Sequence, residues 1–212
     1  MKSDSQANHV YSELRRRILT GQFEPNARLK EDHWAQKLGV SRMAVRETLT
    51  RLLGEGLVFA GDKGGYFVTE MTEEDVKNIR EVREILEIAA LKLAIERITT
   101  EQVKLMEKIC KDFSNMMENG YVMGANEADI KFHETLVAAS GNPRLLKLYY
   151  NAHIPLFHQK IGKTKVYLED HELTNKEHLA LLNAIKEKNL SKAEEILKGH
   201  FKRGEQAVLD LF

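Results

Sequence analysis

The sequence contains a single cysteine, Cys110, in 212 residues. An intrachain disulfide is therefore impossible, and the chain suits a reducing compartment such as the cytoplasm. The sequence also lacks a run of the roughly 18 apolar residues that a membrane span needs, and residues 1–17 lack the apolar core of a secretion signal. These absences argue against a disulfide-stabilised exported protein and against an integral membrane protein. They predict a cytoplasmic protein with no membrane partner.

Basic and acidic residues balance over the whole chain, with 32 of each and a formal net charge of zero. They do not balance along its length. Residues 1–69 hold 11 Lys and Arg against 8 Asp and Glu, a net charge of +3, so the remaining 21 basic and 24 acidic residues give −3. The chain is long enough for two modest domains, each with its own core. The asymmetry suits a basic DNA-binding domain joined to a domain with another task.

Residues 31–68 have the pattern of a winged helix-turn-helix. Gly39 can adopt the positive φ that ends a first helix, and Ser41 is placed to cap a second helix by accepting a backbone N–H bond. The segments LVFA and YFVT then flank GDKGG as a β-hairpin, here called the wing. The second helix has an apolar face at helical spacing, formed by Val45, Leu49, Leu52 and Leu53.

The opposite face of the second helix carries Arg42, Arg46 and Thr50. Two arginines on an exposed face are often only solvated, but arginines at the first turns of a helix held by its apolar face also fit the major groove of double-stranded DNA. Lys63 would bring the wing tip to a phosphate or to the minor groove. The run of residues 15–17, all arginine, lies in a predicted helix over residues 8–20 and is either a further phosphate contact or solvated.

After Val68 the strand pattern ends and helical patterns follow, so the domain boundary is expected near residues 70–72. The spacing of helix-capping pairs occurs at Thr72 with Asp75, Thr99 with Gln102, and Ser191 with Glu194. The expected helices cover residues 73–97, 99–118, 122–140, 143–161 with a kink at Pro155, 170–188, and 191 to the C-terminus. The predicted fold is mainly α, with a winged helix-turn-helix over residues 1–70 and an all-α bundle over residues 71–212.

Four candidate metal ligands are spaced so that the bundle can bring them together. Asp129 and His133 are four residues apart and therefore share one face of their helix. His178 and His200 are nearly equidistant from a turn near Leu190, so an antiparallel helix pair places them at the same height. Three imidazole nitrogens and one carboxylate oxygen suit Zn²⁺, Ni²⁺ or Mn²⁺ and leave one or two coordination positions open. The alternative is that these are ordinary histidines that make hydrogen bonds.

Arg83 lies on an apolar helix face, which would bury its guanidinium. That face also carries Ile79, Leu86 and Ala90. A buried arginine requires an anion. The anion is either Glu87, four residues further on, or the carboxylate of a small organic acid held between Arg83 and the open metal position.

The stretch LGVSRMAVRETLTRLLGEGLV is similar to the signature of the GntR family of bacterial transcription regulators. One position departs from the family pattern, because Gly64 stands where an arginine often precedes the wing glycine. Lys63 is the nearest replacement, but its point charge cannot form a two-bond fork to guanine. The resemblance implies that DNA is contacted by Ser41, Arg42, Met43, Arg46, Arg51, Lys63 and Gly65.

The segments DIKFHETLVAASGN and KEHLALLNAIKEKNLSKAEEILKGHF resemble the FCD-type effector domain of FadR-like regulators, in particular a metal-containing, six-helix, VanR-like subgroup. By this resemblance Arg83 faces the effector, and Asn189 stands where the family often has Asp. The implied cofactor is a divalent metal ion, with zinc ahead of nickel and manganese. The implied metal ligands are Asp129, His133, His178 and His200.

The resemblance implies a cytoplasmic homodimer that regulates transcription, with repression favoured, and that is not an enzyme. Its bundle would bind a small carboxylate metabolite through the metal, and the bound acid would select one placement of the two DNA-binding heads. A second hypothesis makes the metal itself the signal. A third, from another functional class, is a metal-dependent hydrolase in which the Asp/His₃ site activates water.

Overall fold

The computed structural model describes residues 2–152, 154 and 168–212, and these are mainly helical, as predicted. The first part of the chain, here called the head, contains α1 (Lys2–Leu19), β1 (Arg28–Leu29), α2 (Glu31–Leu38), α3 (Arg42–Gly54), β2 (Val58–Ala60) and β3 (Tyr66–Val68). The described residues of the second part, the bundle, form α4 (Glu73–Arg97), α5 (Thr100–Glu118), α6 (Val122–Ala139), α7 (Pro143–Asn151), α8 (Leu168–Lys186) and α9 (Leu190–Leu209). No described helix is long and apolar enough to cross a membrane.

The helix-turn-helix forms around two residues, as the sequence predicts. Gly39 has a φ of 64° and ends α2. The Ser41 hydroxyl accepts a hydrogen bond from the Ala44 N–H at 3.2 Å and begins α3. The turn between α2 and α3 is therefore set by local chemistry that can be read directly from the chain.

The buried face of α3 differs at one position from the predicted face. Leu53 is 38% exposed and does not belong to it. Thr48 is buried instead, and its hydroxyl donates to the Ala7 carbonyl at 3.0 Å. This bond turns the packed side of α3 towards α1. The remaining predicted members are buried, namely Val45, Leu49 and Leu52.

Helix α1 begins at Lys2, earlier than the predicted start near residue 8. Ala7 is buried and extends the inward stripe by one turn before Val10. The rest of that stripe, Leu14 and Ile18, is buried as predicted.

The two wing strands, β2 and β3, belong to a three-stranded antiparallel sheet with the strand order β1-β3-β2. The strand β1 is absent from the sequence prediction. It pairs Arg28 with Phe67 and Leu29 with Tyr66. A strand of two residues is too short for an alternating pattern to be recognised, so only the long-range pairing reveals it. The pairing ties the segment before α2 to the wing.

The first two bundle helices begin at the predicted capping pairs. Thr72 with Asp75 opens α4, and Thr99 with Gln102 opens α5, both as reciprocal capping boxes. Asn142 caps α7 by accepting hydrogen bonds from the next turn. The described part of the predicted helix over residues 143–161 is α7. The rest of that prediction, including the kink at Pro155, lies outside the described residues.

Helix α9 begins differently from the prediction. The Asn189 side chain caps it by accepting a hydrogen bond from the Lys192 N–H at 3.1 Å. The predicted pair of Ser191 and Glu194 is therefore wrong. Lys188, with a φ of 54°, has already reversed the chain, which leaves Asn189 rather than a later residue at the start of the helix.

Helix α6 runs through the middle of the bundle and packs against α4 and α5. Most of its side chains are buried, on more than one face. One side belongs to an apolar cluster inside the bundle. Another belongs to a cluster that joins the bundle to α1 and α3 of the head. This position lets α6 contact both halves of the molecule.

Candidate metal centre and DNA-reading surface

The bundle brings the four predicted metal ligands together. Asp129 and His133 project from α6, His178 from α8 and His200 from α9, and all four are buried. One potential ligand atom of each residue lies within 4.8 Å of those of the other three. His178 and His200, which are nearly equidistant from the α8–α9 turn, both belong to this group.

The ligand atoms face one another at short distances. The Nε2 atoms of His133 and His200 are 3.0 Å apart. The Asp129 Oδ1 atom is 3.1 Å from His178 Nε2 and 3.8 Å from His133 Nε2. Three nitrogens and one oxygen therefore lie close enough together to bind one metal ion.

Two carboxylates hold the outer nitrogens of this cluster. Glu87 Oε2 is 2.6 Å from His133 Nδ1, and Glu177 Oε2 is 2.8 Å from His200 Nδ1. Burial lowers the pKa of His133 to about 4, and burial also lowers the pKa of His200, so both imidazoles are neutral. With each Nδ1–H donated to a carboxylate, each Nε2 carries a lone pair. This is how ligating histidines are commonly oriented in metal sites.

The donor set fits a divalent metal. Two Nε2 lone pairs at 3.0 Å repel each other unless a cation lies near both. The buried His178 Nε2 atom makes no hydrogen bond among the described residues. Its near neighbour is Asp129 Oδ1 at 3.1 Å, and a metal ion would bind both of these ligand atoms. Zn²⁺, Ni²⁺ and Mn²⁺ accept this combination of imidazole and carboxylate ligands.

The sequence did not assign the two outer carboxylates to the cluster. The sequence pattern indicates Glu87 only as a partner for Arg83 and does not indicate Glu177. A weak signal exists for Glu87, because it lies four residues after a buried arginine. None exists for Glu177, whose bond to His200 joins two different helices.

Arg83 is 3% exposed, and its Nε donates to Glu87 Oε1 at 2.7 Å. Its guanidinium also lies 4.6 Å from the centre of the Phe201 ring. Burial would raise the pKa of Glu87, but His133 and Arg83 together lower it to about 2. Glu87 therefore accepts from both groups and links Arg83 to the cluster.

The head presents the two arginines of α3 at its surface. Arg46 donates to Glu31 through Nε at 3.0 Å and through Nη2 at 2.9 Å. Arg42 forms an ion pair with Asp32, with 2.8 Å between Nε and Oδ1. Met43, between them, is largely exposed. Ser41 is used as the helix cap, so α3 offers an exposed cationic N-terminal part as expected.

Arg51 lies in the last turn of α3 and not with Arg42 and Arg46 in its N-terminal part. Its guanidinium lies 3.4 Å from the centre of the Tyr11 ring on α1, and its Nε is 3.6 Å from Glu55. The run at residues 15–17 is also turned inward or paired, because Arg15 bonds to Glu55 and Glu134 while its two neighbours bond to Glu13. Neither predicted role, phosphate contact or solvation, describes Arg15.

The wing gains a charge that the sequence reading missed. Gly65 has a φ of 96°, and a Cβ added there would lie 3.1 Å from the Arg28 guanidinium. Arg28, from β1, therefore covers the wing glycine, whereas the exposed Lys63 lies in the turn at the wing tip. An arginine stands beside the wing glycine in space although Gly64 precedes it in sequence. No local pattern signals this contact.

Comparisons with known proteins identify both parts of the chain. Residues 6–68 match the family described as bacterial regulatory proteins, gntR family, and residues 78–203 match the FCD domain. A Bacillus subtilis protein called uncharacterized HTH-type transcriptional regulator YdhC is 31% identical over 197 residues, which cover 90% of this chain and 85% of that protein.

Solved structures share the fold. Escherichia coli McbR/YncC superposes with a TM-score of 0.86 at 19% identity, over 97% of both chains. The metal-free FCD domain of TM0439 superposes with a TM-score of 0.55 at 22% identity, over 67% of this chain and 96% of that one. The relatives are transcription regulators and not enzymes, which removes the hydrolase hypothesis. The chain belongs to the gntR family of bacterial regulatory proteins and is a transcription regulator that binds operator DNA and carries a C-terminal FCD domain.

Proposed function

We propose that the chain is a cytoplasmic, homodimeric repressor that a small carboxylate metabolite controls through a divalent metal in the bundle. The observation that carries the proposal is the convergence of one carboxylate and three imidazoles, all buried, at a single point. Asp129, His133, His178 and His200 would hold the metal. Zinc is the first candidate, because three histidines with one carboxylate suit its ligand preferences.

The metal would supply an open coordination position for a carboxylate oxygen of the effector. Arg83 supports an anionic effector, because it places a permanent positive charge close to the cluster. Its Nε donates to Glu87, which keeps the guanidinium fixed beside the cluster. The effector carboxylate would lie between this positive charge and the metal. Glu87 and Glu177 hold the outer nitrogens of two histidines and fix their orientation.

A direct contact between the bundle and the head supports regulation. Glu134, the residue after His133 on α6, accepts from Arg15 of α1 at 2.8 Å. Arg15 also contacts Glu55, which follows the last residue of α3, at 3.3 Å. A cavity of about 610 Å³ lies along this junction, lined by residues of α1, α3, α6 and α7. Ligand binding that shifts α6 would therefore reach the helix that reads DNA.

Two heads in a dimer would read the two halves of a palindromic operator. Binding of the effector would favour one spacing of the heads, and only the other spacing would fit both half-sites. Effector binding would release the protein from DNA, which makes the protein a repressor. Arg42 and Arg46 would lie in the major groove, with Lys63, Gly65 and the neighbouring Arg28 at the wing.

The experiment titrates chelator-stripped protein with Zn²⁺, Ni²⁺ or Mn²⁺, with and without a panel of small organic acids, and measures the affinity for promoter DNA. The proposal expects a change in affinity that requires both metal and acid. A change with metal alone would instead support the second candidate, a metal sensor, which rests on the same cluster. No change under any condition would contradict both.

The DNA-reading assignment has a separate test. Arg46→Ala removes a guanidinium that can form a two-bond fork to guanine, so operator affinity is expected to fall about ten- to hundredfold. The exposed side chain makes the fold insensitive to its loss, which circular dichroism would verify. Unchanged operator affinity in the folded variant would contradict the role of α3.

A further inference from the structure

Two acidic residues in the first turn of α2 contact the arginines of α3. Glu31 accepts both Nε and Nη2 of Arg46, at 3.0 and 2.9 Å, in a paired arrangement. Glu31 Oε2 also lies 3.7 Å from Arg42 Nη2. Asp32 contacts Arg42 alone, in an ion pair with 2.8 Å between Arg42 Nε and Asp32 Oδ1. The acidic side chains therefore lie on the surface that is expected to approach DNA, where their charge opposes phosphate binding.

Stabilisation of α2 alone does not explain why Glu31 and Asp32 contact the arginines differently. Acidic residues in a first turn stabilise a helix through its dipole, and both Glu31 and Asp32 satisfy that requirement. Only Glu31 holds a guanidinium by two parallel bonds. Its side chain is 19% exposed, whereas that of Asp32 is 72% exposed. Glu31 is thus the less exposed of the two, and its bonds to Arg46 connect α2 with α3.

We propose that Glu31 is a positioning residue for DNA reading, which fixes the Arg46 guanidinium so that its unused N–H groups meet a base edge. The inference rests on the proposed role of Arg46 as a base contact. The two bonds to Glu31 use two of the five N–H groups of the guanidinium. The two N–H groups of Nη1 and the second N–H group of Nη2 can form the fork that reads guanine O6 and N7.

The benefit is preorganisation. An arginine without a partner must lose the freedom of its long side chain when it binds a base, whereas Arg46 loses that freedom during folding. Hydrogen bonds from Arg46 lower the pKa of Glu31, so the carboxylate stays ionised near neutral pH and keeps the fork closed. Two effects of opposite sign therefore act at Glu31. Its charge weakens binding to any DNA, and its hydrogen bonds strengthen binding to the correct sequence.

The test separates these effects. The probes are the duplex that the wild-type protein selects from a random pool and a scrambled duplex of the same composition, and the readout is the ratio of the two affinities. For Glu31→Ala the ratio is expected to fall about tenfold, as for a disordered base contact, while affinity for the scrambled duplex does not fall. The matched control, Asp32→Ala, removes the same charge one residue away and is expected to leave the ratio unchanged.

Two further variants make the result decisive. Glu31→Gln removes the charge but keeps one acceptor oxygen for Arg46, so an intermediate ratio is expected. It also decides the question if the alanine variant does not fold, as monitored by the fluorescence of Trp34 on α2. An unchanged ratio in both Glu31 variants, alongside a reduced ratio in Arg46→Ala, would overturn the inference alone. An unchanged ratio in Arg46→Ala would overturn the base-contact assignment and the inference with it.

Discussion

The head and the bundle each contain an arginine held by a glutamate, and the two pairs differ mainly in their exposure to solvent. In the head, Arg46 is 53% exposed and donates two bonds to Glu31. In the bundle, Arg83 is 3% exposed and donates to Glu87, which is fully buried. The distances are similar, from 2.7 to 3.0 Å. The chemistry is therefore the same and the surroundings are not.

The comparison shows how exposure decides what a charged pair can do. Water can solvate either partner in the head, so Arg46 remains able to bind another group without a large penalty. No water replaces Glu87 around Arg83, so that pair must stay intact. Glu87 also accepts from His133, which makes the permanent pair part of the support for the metal cluster. One pair suits a reading surface and the other suits a fixed scaffold.

The largest expected effect comes from breaking the buried pair. Glu87→Ala leaves the Arg83 charge buried without its carboxylate, and we expect it to lower the free energy of unfolding by about 3–5 kcal/mol. Urea unfolding followed by circular dichroism measures the change. A matched control lies one turn earlier on α4, where Arg80 and Glu84 have the same spacing but are both partly exposed. Glu84→Ala is expected to cost less than about 1 kcal/mol.

A rescue variant guards against simple failure to fold. The double change of Arg83→Met with Glu87→Gln removes both charges and keeps an acceptor for His133. It is expected to regain most of the stability lost in Glu87→Ala, because a buried pair is replaced as a whole. Equal losses for Glu87→Ala and Glu84→Ala would remove burial as the explanation of the difference between the two regions.

An intermediate effect is expected at the second outer carboxylate. Glu177→Ala removes the acceptor of His200 Nδ1, so the ring is no longer held for ligation. We expect the affinity for Zn²⁺ to fall about 10- to 100-fold, as measured by calorimetry against a competing chelator. Glu172→Ala, which removes an exposed carboxylate from the same helix, serves as the control. An equal loss of Zn²⁺ affinity in the control would show that the effect comes from the change in net charge and not from the bond to His200.

The smallest effect is expected at the most exposed pair. Asp32→Asn breaks the Arg42 contact, whose members are both largely exposed. The free energy of unfolding is expected to change by less than about 0.5 kcal/mol, because water replaces the lost partner. Thermal unfolding of the two proteins in the same buffer measures the difference. A loss of several kcal/mol would contradict the contrast drawn between the head and the bundle.

Local chemistry explains which elements could be predicted from the sequence. Gly39 and Ser41 define the helix turn within a few residues, and so do the capping boxes at Thr72 and Thr99. Each of these signals depends on neighbours along the chain. The cap of α9 was misassigned for the same reason, because several polar residues near Asn189 could each serve as a cap until the end of α8 is known.

Long-range contacts explain what could not be predicted. The four metal ligands could be predicted because His178 and His200 are nearly equidistant from the turn between α8 and α9. The bond from Glu177 to His200 and the position of Arg28 over Gly65 have no comparable regularity. Both depend on which faces of separate elements meet after packing. Arg15 could not be predicted for the same reason. It belongs to a run of three arginines in the sequence, yet it connects the head and the bundle.

The most direct test of the proposed metal centre is the zinc content of the purified protein. Chelator-stripped protein is dialysed first against Zn²⁺ and then against metal-free buffer. Bound metal is measured by inductively coupled plasma mass spectrometry. The expected result is one tightly bound zinc per chain, lost in Asp129→Ala and His178→Ala but retained in His9→Ala, where an exposed histidine on α1 is removed. Absence of stoichiometric zinc in the wild-type protein, or its retention in both cluster variants, would contradict the assignment.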